Sequence, residues 1–238
     1  MIDRMHDLQL FLRDTGRYEG LLAPGEDPCD GFYGPKTRKA VLTALEDGPD
    51  TPLTMQDYRN AAARLVVRPS TILAFAEVEA MGAGFQNGKP KLLFEPHIFC
   101  RLTKARFSEA HPTISYSRWG TLPYPKGLEE RYEQLIVAVG LDPWAAFCSA
   151  SYGKFQIMGS NHEACGYDTP WAFAVAMAYD EPTQLKAFES FVRTSGLLPA
   201  MRACLWAEVA ERYNGPAYAK NRYDVKLATA AHKWEQQA

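Results

Sequence analysis

No stretch of the 238-residue chain stays apolar long enough to span a bilayer, and the opening segment MIDRMHDLQLFLRDTGRY is charged throughout. The expectation is a protein made in the cytoplasm without a signal peptide and without membrane insertion. Charge of one sign is also scarce. The 26 Lys and Arg against 28 Asp and Glu leave a net charge of −2, lacking the basic excess that wholesale nucleic-acid binding uses. The five cysteines (Cys29, Cys100, Cys148, Cys165, Cys204) are odd in number, irregularly spaced and without a CxxC pair. They read as reduced thiols, not as a disulfide framework. Five histidines form no HExxH, and His162-Glu163 followed by Cys165 lacks a zinc-ligand spacing, so no metal site is expected. A GxSxG elbow and a glycine-rich phosphate loop are absent as well, and no cofactor is implied.

What is present suits a chain that buries a core of its own: 47% of residues are hydrophobic and 23% charged. The main break falls at GPDTP, residues 48–52, where two prolines and a glycine interrupt any helix. It separates residues 1–50 from residues 54–238. Ahead of it, helical spacing runs through Met5, Leu8, Gln9 and Leu12, and again through Thr37, Ala40, Val41, Ala44 and Leu45. Pro35 suits the first turn of the second helix. Beyond the break, Thr54 is placed to cap one helix and Ser70 to cap the helix TILAFAEVEAM. An extended stretch, GFQNGKPKLLFEPHIF, carries the hairpin signal Asn87-Gly88. Residues 108–127 read as an irregular loop or cleft wall. Helical patterns return at Leu128, around Trp171, and at Pro182, Ala207 and Tyr223. The fold class expected is mainly α, with one short β-hairpin.

The helix TILAFAEVEAM is apolar on nearly every face, which predicts burial on most sides. Its only charges are Glu77 and Glu79. Glu79 follows Ile72 by seven residues, Phe75 by four and Ala76 by three, so it lies on an apolar stripe. It also falls in the last turn, before Gly82 and Gly84, where the helix dipole disfavours an anion. Burial acts in the same direction. Both raise the pKa, as a carboxylic acid needs in order to donate a proton to a glycosidic oxygen near neutral pH. The alternative from the helix alone is a buried salt bridge or a loop cap.

Four further stretches, in order, carry a resemblance. EVEAMGAGF with KLLFEPHIF resembles the signature of the N-acetylmuramidase family of modular phage endolysins. SASYGKFQIMG is similar to the cleft-lining segment of lytic transglycosylases and lysozyme-like muramidases. RYNGP resembles their Tyr-Asn-Gly element, and PAYAKNRYDVKLA fits the same family. The resemblance covers Thr54 to the C-terminus. It departs at Ala80, where the family has Ser, and at Pro96, where it has Arg. Residues 1–50 resemble a small helical peptidoglycan-binding module through LQLFLRDTGRYEG and DGFYGPKTRKAV, with Asp30, Gly31, Gly34 and Thr37 carrying the match.

The resemblance implies a lysozyme-like helical domain that cleaves the β-1,4 bond between N-acetylmuramic acid and N-acetylglucosamine, with Glu79 as general acid. It implies Ser149, Gln156, Tyr213 and Asn214 as residues that position substrate or orient the acid, the Tyr closing over it. Tyr152 is a candidate for stacking on a sugar face, and Glu95 is a candidate second carboxylate. A monomer acting on peptidoglycan in the periplasm follows. Three alternatives stay open: a lytic transglycosylase giving 1,6-anhydro products, a type VI secretion effector, and a non-catalytic wall-binding protein.

Overall fold

The computed structural model describes residues 4–80 and 82–237. Met81 and the Ala80 side chain, within the EVEAMGAGF motif, lie outside the described parts. The elements run α1 (Arg4–Asp14), α2 (Pro35–Ala44), α3 (Met55–Leu65), α4 (Pro69–Ala80), β1 (Phe85–Gln86), β2 (Lys89–Pro90), β3 (Leu92–Phe94) and α5 (Pro96–Leu102). They continue with α6 (Leu128–Leu141), α7 (Pro143–Cys148), β4 (Ala150–Tyr152), β5 (Ile157–Met158), α8 (Pro170–Met177), α9 (Glu181–Thr194), α10 (Leu198–Arg202), α11 (Trp206–Asn214) and α12 (Tyr223–Glu235). The fold is mainly α and lysozyme-like.

Local chemistry accounts for the boundaries that matter to the site. Thr54 and Asp57 form a reciprocal capping box on α3, with Asp57 Oδ2 accepting from Thr54 N at 2.8 Å. Ser70, expected as a cap, lies inside the first turn of α4. The helix starts at Pro69, whose fixed φ and missing N–H suit a first helical position. The five residues Ile72 to Ala76 are buried, as an all-round apolar helix requires. α4 packs along α3 and α12.

Asn87 (φ 55°) and Gly88 (φ 75°) make the two-residue turn joining β1 to β2, as their sequence demands. The expected extended run is shorter than its apolar pattern suggested. It ends at Phe94, and Pro96 starts α5 with Glu95 at the N-cap. A second sheet, β3–β4–β5, was not anticipated. It pairs Leu92 with Tyr152, Phe94 with Ala150, and Ser151 with Met158, all antiparallel.

The N-terminal helices are fastened to the remainder. α1 packs on α7 and α2 on α6. The Tyr33 ring lies so close over Gly140 of α6 that a Cβ there would sit 2.6 Å from Cδ1. Buried side chains of α1 and α2 join the same apolar cluster as the rest of the chain. The GPDTP connector is paired with the chain around the start of α9: Asp50 N donates to Tyr179 O at 3.2 Å, and Glu181 N donates to Thr51 O at 3.0 Å.

Candidate active site

Glu79 stands at the C-terminal end of α4, half-buried, and its carboxyl accepts a hydrogen bond from the Tyr223 hydroxyl at the start of α12. Desolvation pushes its pKa up to about 7, and the Tyr223 contact opposes that shift. The carbonyls at the helix end act in the same upward direction. An aromatic column supports this position. Phe75, one turn below Glu79, meets the Tyr213 ring at 4.8 Å and Phe188 at 5.2 Å, while Tyr213 lies nearly parallel to Tyr223 at 6.4 Å. Aromatic pairs of this kind contribute roughly 0.5–1.5 kcal/mol each beyond their area.

Two cavities meet at this carboxyl. The smaller, of about 410 Å³, is bordered by Glu79, Glu95, Ser151, Gln156, Tyr213 and Asn214. The larger, of about 820 Å³, shares Glu79, Glu95 and Asn214 and continues past Trp119 toward α12. Glu95 therefore faces the same space as Glu79. Its carboxyl accepts from the Tyr124 hydroxyl and lies 3.3 Å from His97 Nδ1. Burial raises the Glu95 pKa, and the Tyr124 bond opposes the rise. Burial, with the Arg101 charge nearby, lowers that of His97. Pro96 occupies the first position of α5, where a backbone donor would have had no intrahelical partner, so the departure from Arg removes a cation but leaves the helix intact.

Gln156 is held more tightly than a surface glutamine. It adopts φ 46°, a conformation uncommon outside glycine, and its side chain accepts from Ser151 Oγ at 3.0 Å and donates to Gly153 O at 2.8 Å. The turn carrying it rests on a buried polar network. Glu181 accepts from Gly84 N at 2.6 Å, Leu53 N at 2.8 Å and Lys154 Nζ at 2.8 Å, and Lys154 Nζ also reaches Gly82 O. One carboxylate thus ties the loop after Glu79, the turn before Gln156 and the connector. Gln184 completes it, accepting from Lys154 N at 2.7 Å and crowding Gly153, where a Cβ would fall 2.5 Å from its amide carbon.

Several expected residues lie elsewhere. Ser149 is fully buried, and its hydroxyl donates to Ala145 O at 2.6 Å. Tyr152 is fully buried too, its hydroxyl donating to Phe147 O at 3.2 Å, so it presents no face to a sugar. The physical reason is strand alternation: Ala150 and Tyr152 of β4 point into the core, and Ser151 between them points to the cleft. Tyr213 borders the cavity, but its hydroxyl is spent on Phe155 O at 2.6 Å. The phenol that bonds the Glu79 carboxyl is Tyr223, a residue not singled out from sequence. In residues 1–50, Asp30, Gly31 and Thr37 all converge on buried Gln9. Its Nε2 donates to Asp30 Oδ1 at 2.9 Å and Thr37 Oγ1 at 3.2 Å, and its Oε1 accepts from Gly31 N at 2.7 Å. Gly34 is the N-cap of α2. These four residues shape the loop; the exposed side chain beside them is Phe32 (69% exposed). Among the described residues no group of three His, Cys, Asp or Glu is arranged to hold a metal ion.

Residues 68–235 match the model of the N-acetylmuramidase family, Muramidase. No curated protein matches the chain. Among solved structures, the chain is similar to the crystal structure of the Burkholderia AP3 phage endolysin. The two share 35% identity and a TM-score of 0.69, over 98% of this chain and 95% of that one.

Proposed function

The chain belongs to the N-acetylmuramidase family, and on that premise we propose that it hydrolyses the β-1,4 bond between N-acetylmuramic acid and N-acetylglucosamine of peptidoglycan, with Glu79 as general acid. The observation that carries this reading is a carboxyl with its pKa near 7, at the junction of two cavities and fixed by the Tyr223 hydroxyl. An acid of that pKa is about half protonated at neutral pH and transfers its proton readily to the departing sugar oxygen. Positive charge then develops at the anomeric carbon. Glu95 is the second carboxylate of the site. Its carboxyl accepts from the Tyr124 hydroxyl and faces the same cavities as Glu79, a position from which the ionised form would stabilise that charge or orient the attacking water. Gln156 and Asn214 border the smaller cavity and would present their amides to the sugar.

The setting proposed is the periplasmic wall, reached as a phage endolysin and acting as a single chain. The 35% identity with a phage endolysin over nearly the whole chain supports this above a type VI secretion effector. Residues 1–50 would supply wall affinity, with Phe32 as the ligand-facing side chain. Replacing Phe32 by Ala should lower retention on purified sacculi, and unchanged retention would remove that assignment.

Mass spectrometry of digested sacculi tests the reaction. Muropeptides with reducing N-acetylmuramic acid ends are expected. Products with 1,6-anhydro ends would replace hydrolysis by the lytic transglycosylase reaction, in which the substrate's own 6-hydroxyl attacks and Glu95 is dispensable. Binding without release of any product would leave a wall-binding protein.

A further inference from the structure

The larger cavity differs in charge from the smaller one. Arg101 from α5 stands on one wall, with Lys220, just before α12, and Lys226 of α12 on the other. None of the three forms an ion pair among the described residues, whereas Lys233 of the same helix pairs with Glu77 at 2.9 Å. Among the described residues the carboxyls bordering this space are Glu79 and Glu95, each bonded to a tyrosine hydroxyl, so three cations face two carboxyls. The space is therefore cationic within a chain whose net charge is −2. Trp119, 63% exposed, adds a flat apolar face at its mouth. A neutral amino sugar has no use for three unmatched cations, but an anionic substituent on the glycan does.

We propose that Arg101, Lys220 and Lys226 form a subsite for carboxylates carried on the lactyl arm of N-acetylmuramic acid. The inference rests on the reading of Glu79 as the glycan-cleaving acid, since it places this space along the same substrate. Two sources offer that chemistry: the lactyl carboxylate of peptide-free glycan and the carboxylates of the peptide stem.

Three soluble probes separate them: neutral chitotriose, the peptide-free disaccharide of N-acetylglucosamine and N-acetylmuramic acid, and the same disaccharide bearing a tetrapeptide. Each is titrated calorimetrically into the full chain and into a variant combining Arg101→Ala, Lys220→Ala and Lys226→Ala. The Kd for acidic probes should rise about tenfold, the scale of a few partly solvated ion pairs, with chitotriose unchanged. A rise confined to the tetrapeptide probe assigns the peptide stem. A rise confined to the peptide-free disaccharide assigns the lactyl carboxylate, which the amide bond removes from the other probe. A rise for both shows that the subsite takes a carboxylate from either source. In the parent chain, added salt should weaken acidic probes alone, a readout that does not depend on the variant folding. Equal changes for all three probes, no change for the acidic ones, or no measurable acidic binding overturns the subsite. Release of muropeptides from sacculi by the parent chain, followed in parallel, reports separately on the catalytic reading of Glu79.

Discussion

On the sheet side of Glu79 the cleft presents Ser151 and Gln156, neutral groups bonded to each other and to Gly153 O in a turn that a buried ion pair anchors. On the α5–α12 side it presents Arg101, Lys220 and Lys226, exposed and without ionic partners among the described residues. The contrast separates two ways of recognising a sugar polymer. The neutral half is preorganised: its donors are fixed before substrate arrives, so little ordering remains when it binds. The cationic half consists of long, mobile side chains whose attraction is long-ranged and sensitive to salt. Glu79 sits where they meet, and its own environment resembles the first.

Perturbing each part should show the difference, and the largest effect is expected at the junction. Glu79→Gln should lower sacculus turnover by about 10²–10⁴-fold, the usual contribution of a general acid. Turnover within tenfold of the parent would sink its catalytic assignment. On the neutral side, Lys154→Met leaves Glu181 buried without its cation. A loss of about 3–5 kcal/mol in stability is expected from chemical denaturation, against less than about 1 kcal/mol for Lys226→Met on the exposed side. Similar losses at the two positions would erase the distinction between a built half and a solvated one.

Glu79 also predicts a pH signature. Its folded-state pKa of about 7 lies above the ordinary value of 4.5, so the folded protein holds the proton more tightly than the unfolded chain. The associated stability is complete below pH 4.5 and is lost as pH rises through 7. Glu79→Gln should therefore stabilise the protein above pH 8 by on the order of 2–3 kcal/mol relative to any change at pH 4. Thermal melts at the two pH values measure it, and a pH-independent difference would contradict the shift. The smallest effect is expected for Tyr223→Phe. Its hydroxyl lowers the Glu79 pKa, so removing it should move the descending alkaline limb of the rate profile upward by about one unit or less. A downward move would mean that Tyr223 stabilises the neutral acid.

How far the sequence foretold this arrangement depended on the range of the cause. The Asn87-Gly88 turn, the Thr54 cap and the apolar stripe carrying Glu79 are local, set by residues within seven positions, and they were legible. Tyr223 was not: it lies 144 residues from Glu79, and only the packing of α12 on α4 brings it there. The β3–β4–β5 sheet escaped because strands of two or three residues are too short to show alternation. For the same reason Ser149 and Tyr152 were placed at the sugar, whereas Ser151 is the residue of β4 that borders the cavity. Asp30, Gly31 and Thr37, read from sequence as marks of a wall-binding module, close their loop on Gln9, a contact 21 to 28 residues away that no local pattern shows. The Lys154–Glu181 pair joins residues 27 positions apart, too far for any local pattern to show.

The paired connector bears on how this chain could be recombined with others. Cutting at Pro52 to exchange the N-terminal residues for a foreign targeting module would disturb Thr51 and Leu53, whose backbone groups bond the start of α9. Glu181 would then bind Lys154 and the loop behind Glu79 less firmly. A chimera joined there should show reduced cleavage even with its new module well folded, whereas a junction ahead of Gly48 would spare the latch. Residues 48–53 thus belong, in engineering terms, to the catalytic part.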